Sequence, residues 1–286
     1  MTNLQFFQAT RISDRMTGIV GITGENMFLI EGDDRAALID TGIGIGDLSD
    51  FISSLSTKPL SVIVTHGHLD HAGGAGLFTD VYMSEKDASV FLAHQDQDIK
   101  KSYVRMMLRD RAGLLAPADF VPPRAAAFHP LHVGDTFDLG KITLEICPGA
   151  GHTPGMVTVL LPEERKLLLG DACNPFTFLF DPDSSSVEAY REVLEELAAI
   201  TAGRYDEVLL SHGPFINSAG MIDSVIQVCD DIMAGQTDDL PFKFLHQASP
   251  DYAIAKAVTA KAGVFSRVDG GLGNIVYNKK RIWRST

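Results

Sequence analysis

Cysteine is scarce. Cys147, Cys173 and Cys229 are the only three in 286 residues, far apart and with no C-x-x-C pair. An odd, scattered set argues against a disulfide framework or a thiolate zinc knot and fits a reducing compartment, so a cytoplasmic location is expected. Positive charge is short as well: 24 Lys and Arg stand against 37 Asp and Glu, a net charge of −13. That balance argues against a dedicated nucleic-acid or anionic-membrane surface, because both select for cations. The tail reverses it locally, with Lys243, Lys256, Lys261, Arg267, Lys279, Lys280, Arg281 and Arg284 against Asp251 and Asp269, and reads as a solvated or interface face. No stretch approaches the roughly 18 to 20 apolar residues of a membrane span, and "MTNLQFFQATRISDR" lacks a basic flank followed by an apolar run. Neither a membrane partner nor a targeting segment is expected. At 45% apolar and 21% charged the composition is that of an ordinary globular chain, long enough for one large or two small domains.

The first half is rich in strand patterns. "NMFLIEG" (26–32) and "RAALIDTG" (35–42) read as two strands joined at Gly32-Asp33-Asp34, and 47–55 reads as a helix. "SVIVT" (61–65) is a fully apolar strand of the kind buried on both faces. After "VYMS" a helix is expected from about Glu85 to His94, then an amphipathic helix over 96–112 ending near Gly113. That second helix sets Ile99, Tyr103, Met106 and Met107 on one face and Lys100, Lys101, Arg105 and Arg109 on the other. The apolar face would pack on the core or line a substrate mouth. Strands are expected at 141–147, 156–161, 166–169 and 207–210, helices near 187–199 and 218–233, and in the tail a helix near 251–261 before a last strand at "GNIVYN". The domain reading is one domain over 1–235, with a cap-like insertion at about 94–132, and a helix-strand extension, 236–286, packed on it.

"VTHGHLDHAGG" (64–74) crowds His66, His68, Asp70 and His71 into one turn at the end of the apolar strand. Three further positions share that context: His152 in "GAGHTPG", Asp171 in "LLLGDAC" and His212 in "LLSHGP", each following an apolar strand and flanked by glycine or proline. "SVIVTHG" and "EVLLSHG" echo one another, which suggests two related halves. Imidazole with carboxylate suits zinc, iron or manganese. His66 and His68, two apart, project the same way in extended backbone and can share an ion, whereas Asp70 and His71 lie beyond the turn and would aim at a second. Seven donors are too many for one ion and right for two sharing a carboxylate, with Asp171 the natural bridge.

"THGHLDH", "GHTPG", "GD" and "SHG", in this order, closely resemble the metallo-β-lactamase superfamily over about residues 25–215. The resemblance implies an α+β protein, an αββα four-layer sandwich of two mixed β-sheets flanked by helices, with a dinuclear metal site. By position it implies that His66, His68 and His152 hold one metal, that Asp70, His71 and His212 hold the other, and that Asp171 bridges. "DTG" at 40–42 also matches, and implies that Asp40 supports the metal loop from behind. Met156 departs from the small polar residue common after "GHTPG". The complete ligand set looks more like the glyoxalase-II-like and lactonase-like hydrolases than the antibiotic-hydrolysing members.

The expected function is therefore a dinuclear metallohydrolase. A metal-bound hydroxide, oriented by Asp70 and Asp171 as catalytic carboxylates, cleaves an ester-like bond, thioester or lactone, of a small metabolite. The expected cofactors are two divalent ions, zinc foremost with iron or manganese as alternatives. The expected partner is a small-molecule substrate, with self-association left open. Tyr103, Met107, Phe176 and Phe178 are the candidate substrate contacts. The alternatives are a phosphodiesterase or nuclease, against which the acidic charge counts, and a di-iron redox protein of the same fold. The flavin-linked redox members usually carry glutamate where this chain has His68. "DTGIGIGD" (40–47) imitates a dinucleotide loop, but Asp47 occupies the last glycine position and turn glycines explain it better.

Overall fold

Apolar β-branched runs broken by Gly, Asp and Pro become strands, and the computed structural model describes residues 4–244, 247–261 and 264–284 of them and their connections. The chain divides into two compact units, residues 1–145 with 211–215 and residues 146–210 with 216–286.

The first unit holds β1 (Phe7–Arg11), β2 (Met16–Gly21), β3 (Asn26–Glu31), β4 (Ala36–Ile39), α1 (Leu48–Leu55), β5 (Leu60–Ile63), α2 (Leu69–Ala72), β6 (Val81–Met83), α3 (Ala88–His94), α4 (Gln97–Leu108), β7 (His129–Pro130) and β8 (Thr136–Asp138). Seven strands form one sheet in chain order, β1 to β7, antiparallel from β1 to β4 and parallel from β4 to β7. Parallel pairing requires crossovers, and the β4–β5 crossover is α1, capped by the Asp47 side chain accepting from Asp50 N. Leu29, Leu38, Val62, Val64 and Val81 build the core with Leu48 and Ile52 of α1. The histidine loop thus leaves the end of a parallel strand buried on both sides, where backbone turns outward and side chains converge.

The chain passes into the second unit within β9 (Thr143–Pro148). There follow β10 (Val157–Leu161), β11 (Lys166–Gly170), β12 (Thr177–Leu179), α5 (Val187–Thr201), β13 (Glu207–Leu210), β14 (Ile216–Ser218), α6 (Met221–Met233), β15 (Leu240–Phe244), β16 (Gln247–Ile254), β17 (Val258–Lys261), β18 (Val264–Arg267) and β19 (Ile275–Asn278). One sheet runs β14-β13-β11-β10-β9-β8, with β11 and β13 parallel. A core of Leu160, Leu167, Leu169, Val208 and Leu210 packs on Tyr190, Leu194 and Leu197 of α5 and Val225, Val228 and Ile232 of α6. The three cysteines are buried free thiols, and burial raises those of Cys173 and Cys229. They are packing residues.

Two expectations fail. The tail helix near 251–261 is instead β16 and β17: Tyr252, Ala253 and Ile254 pair with Asn278, Tyr277 and Val276 of β19, and Leu240 of β15 pairs with Ile254. Partners distant in sequence override an alanine-rich composition. β19 also pairs with β12 in parallel, which joins the tail to the strand carrying Phe178.

The second failure is the face of α4. Its buried residues are Lys100, Val104 and Leu108, whereas Ile99, Met106 and Met107 are 46%, 37% and 43% exposed. Lys100 is 2% exposed, and its Nζ donates to the carbonyls of Gly73 (3.2 Å) and Val121 (3.3 Å). Burial lowers its pKa to about 8. A lowered lysine pKa costs stability while the folded chain must hold the proton, fully below pH 8. The cost fades as pH rises toward the unfolded value of 10.5, because the unfolded chain then binds more protons than the folded one. The shift corresponds to about 3 kcal/mol. Thermal unfolding of Lys100→Met against the parent from pH 7 to 10 is expected to move steadily in the parent's favour. A pH-independent difference would contradict this.

Candidate metal centre

In the first unit the site begins at Asp40, a buried residue in a left-handed conformation (φ 62°). Its carboxylate accepts from Thr65 N (2.7 Å), from Thr65 Oγ1 (2.9 and 3.0 Å) and from His71 Nδ1 (2.8 Å). A carboxylate only accepts, so His71 carries its proton on Nδ1 and turns the Nε2 lone pair outward. The Thr65 hydroxyl spends its proton on Asp40, so its oxygen accepts from His66 Nδ1 at 3.1 Å. That sets the tautomer of His66 in the same sense. One buried carboxylate therefore prepares two imidazoles as donors through Nε2. Thr41 closes the loop, its N and Oγ1 both donating to the His71 carbonyl.

Asp70, His71 and His212 offer ligand atoms that all lie within 4.8 Å of one another. His71 Nε2 stands 3.9 Å from Asp70 Oδ1, and His212 Nε2 stands 3.6 Å from Asp70 Oδ2. His212 comes from far along the chain, yet its segment is held in this unit. Asn26 N donates to Ser211 O (2.7 Å), Asn26 Nδ2 donates to Gly213 O (3.1 Å), and Glu25 bridges His212 through backbone. Phe215 stacks edge-on against Phe28, and a Cβ on Gly18 would meet its ring at 2.6 Å, which only glycine permits. The His66 and His68 rings lie 4.8 Å apart. Gly67 between them donates its N–H to buried Asp87 (2.7 Å), pinning the loop.

In the second unit His152 and Asp171 come together, Nε2 to Oδ2 at 3.9 Å. His152 Nδ1 donates to the Phe178 carbonyl at 2.6 Å, so this imidazole also presents Nε2. Ser184 Oγ donates to the His152 carbonyl (2.9 Å) and holds the loop. The chemistry of both donor sets, imidazole Nε2 lone pairs with carboxylate oxygens, fits a divalent ion.

The substrate candidates separate. Tyr103 of α4 donates its hydroxyl to Asp70 Oδ2 at 3.1 Å. Met107 lies on the exposed face of the same helix. Phe176 and Phe178 pack with Phe180, Phe242 and Phe244 in an aromatic cluster, so Phe178 meets the site through its carbonyl. Lys100, counted with a basic face, is buried instead.

Sequence reasoning missed two residues. Glu25 is 2% exposed; its carboxylate accepts from Ile43 N (3.1 Å) and Thr23 Oγ1, while its backbone bridges His212. It thus ties the loop after Asp40 to the segment bearing His212, and burial, with the Asp70 charge, raises its pKa. The only signal was a charged residue directly after a glycine at the head of an apolar strand. His94, ending α3, stacks on His68 at 4.5 Å, and no motif marks it.

The profile of the metallo-beta-lactamase superfamily matches residues 20–212, and the chain belongs to that family. Its mixed sheets with flanking helices are the α+β metallo-β-lactamase fold expected from the motifs. Among its relatives, the acyl-coenzyme A thioesterase MBLAC2 of Gallus gallus is 26% identical over 199 residues, 65% of this chain and 72% of that one. The beta-lactamase-like protein 2 homolog of Caenorhabditis elegans is 24% identical over 77% of this chain and 67% of its own length. A metallo-beta-lactamase from Pontibacter korlensis superposes with a TM-score of 0.56 at 20% identity, covering 77% of this chain and 97% of that one. At that identity the superposition speaks for fold alone. Family and relatives together mark a metal-dependent hydrolase. Among the described residues no helix is long and apolar enough to cross a membrane.

Proposed function

We propose that the protein is a dinuclear metallohydrolase that cleaves an ester-like bond, a thioester before a lactone, in a small metabolite. In this reading His66, His68 and His152 hold one ion, Asp70, His71 and His212 hold the other, and Asp171 bridges. Residues 1–235 form the hydrolase domain, 94–132 its cap and 236–286 its extension. A cytoplasmic place fits the three free thiols. The observation that carries the reading is the Asp40 network, which leaves Nε2 of His71 and, through Thr65, Nε2 of His66 as the donor atoms, one histidine for each ion of this reading. The thioester preference is supported by the named activity of the MBLAC2 relatives.

When bound, two divalent ions, zinc foremost, would polarise a carbonyl and lower the pKa of water to about 7. The chain's own residues do the rest. Asp40 holds the proton of His71 on Nδ1 and keeps Nε2 available. Asp70 is oriented by the Tyr103 hydroxyl and is the carboxylate placed to receive a proton from attacking water. Once that proton is on Asp70, Tyr103 can turn its hydroxyl toward an incoming carbonyl oxygen.

Initial rates on an acyl thioester, an acyl lactone, a β-lactam and a phosphodiester, each with and without chelator, test the reading. Chelator-sensitive cleavage of thioester or lactone is the expected result. Turnover of the phosphodiester alone, or oxygen consumption by an iron-loaded chain with no hydrolysis, would overturn it.

A further inference from the structure

Helix α4 sets a lysine beside Val104 and Leu108 on its buried face. It leaves Ile99, Met106 and Met107 in solvent. Desolvating an amino group is costly, and displaying three large apolar side chains on one stripe forgoes their burial. The stripe has a definite place. Ile99, Tyr103 and Met106 follow the i, i+4, i+7 spacing of one helix face, with Met107 one turn beyond Tyr103. Tyr103 is the half-buried member, packed against Ile43, Ile45, Leu69, Val104 and Leu108, and its hydroxyl reaches Asp70. The apolar face therefore meets a candidate metal ligand at its middle, with Ile99 one turn before Tyr103 and Met106 and Met107 one turn after, about 6 Å of helix on either side. Lys100, bonded to the carbonyl of Gly73 two residues past His71, anchors the helix in this rotation.

Resting on the hydrolase reading above, we infer that this stripe is the wall along which the hydrocarbon chain of an acyl substrate lies, its carbonyl end directed to Asp70. The occupant is a saturated acyl chain. It alone explains why the apolar stripe is continuous with the Tyr103–Asp70 hydrogen bond; a second copy of the chain or a lipid surface would require no such continuity. A wall of methionine and isoleucine is adaptable and takes chains of differing length.

The wall is tested by binding, without turnover. The metal-loaded protein is titrated calorimetrically with saturated fatty acids from butanoate to dodecanoate. Affinity is expected to rise about 2- to 4-fold per added methylene and then level off once the chain outruns the wall. Ile99→Ser with Met106→Ser, both at exposed positions, is expected to flatten that rise. Flat affinity in the parent, or an undiminished rise in the variant, would overturn the proposal. So would sedimentation showing that the parent is a dimer which the same substitutions dissociate, since a second copy would then cover the stripe. Efficient thioester hydrolysis with flat affinity removes the wall and leaves the hydrolase. Chain-length-dependent binding, abolished in the variant, with no thioester or lactone cleaved, leaves the wall and removes the hydrolase.

Discussion

Asp70→Ala is expected to lower kcat/KM for the cleaved substrate by about 10^3-fold or more and to release one equivalent of metal. Asp70 sits among His71, His212 and Tyr103, within 4 Å of a polar atom of each. In the proposed reading its removal takes away a ligand oxygen and the proton acceptor for water, together with the partner of the tyrosine. Charge stabilisation by a bound ion is worth several kcal/mol, and each 1.4 kcal/mol is tenfold in rate. Asp70 is 16% exposed at its side chain and lies on a short loop helix, so the fold should survive. Metal analysis of the purified variant beside its rate separates the site from the scaffold. A variant that keeps both its metal and its rate would remove Asp70 from the centre.

Asp40→Asn is expected to be nearly as harmful to metal binding, although Asp40 is no ligand in this account. The amide nitrogen brought in place of one oxygen cannot accept from His71 Nδ1. Should it face that nitrogen, His71 must move its proton to Nε2, the atom needed for coordination. Should it face Thr65, the buried Thr65 N–H meets an amide N–H instead of an acceptor, which displaces the segment whose hydroxyl orients His66, although that hydroxyl keeps the remaining oxygen. Loss of an orienting partner of this kind costs about 10- to 100-fold in metal affinity. Asp40→Ala adds a fold penalty, because buried donors on Thr65 and His71 lose their acceptor at about 1–3 kcal/mol each. Competitive metal titration and thermal unfolding on both variants give the contrast: Asn loses affinity with a small change in Tm, Ala loses both. Unchanged affinity in Asp40→Asn would show that the tautomers are not set from this residue.

Local chemistry explains what was legible. The apolar run 61–65 reads as a buried strand, and the chain turns sharply at its end, so the pattern itself puts His66, His68, Asp70 and His71 in one loop. The helices expected at 47–55, 187–199 and 218–233 were equally plain, and they are found at Leu48–Leu55, Val187–Thr201 and Met221–Met233. What escaped depends on partners far away in sequence. Glu25 gains its role from Ile43 and from His212, almost 190 residues on. The tail strands exist because β15, β16 and β19 pair. The face of α4 was misread because periodicity counts apolar residues and cannot see two carbonyls waiting for a lysine.

The most direct measurement is the metal content of the purified chain, followed through chelation and reloading with hydrolysis measured at each stage. Two equivalents of divalent metal per chain, activity lost with their removal and regained with their return, is the result expected. Full hydrolysis by the metal-free chain would contradict the account at its centre.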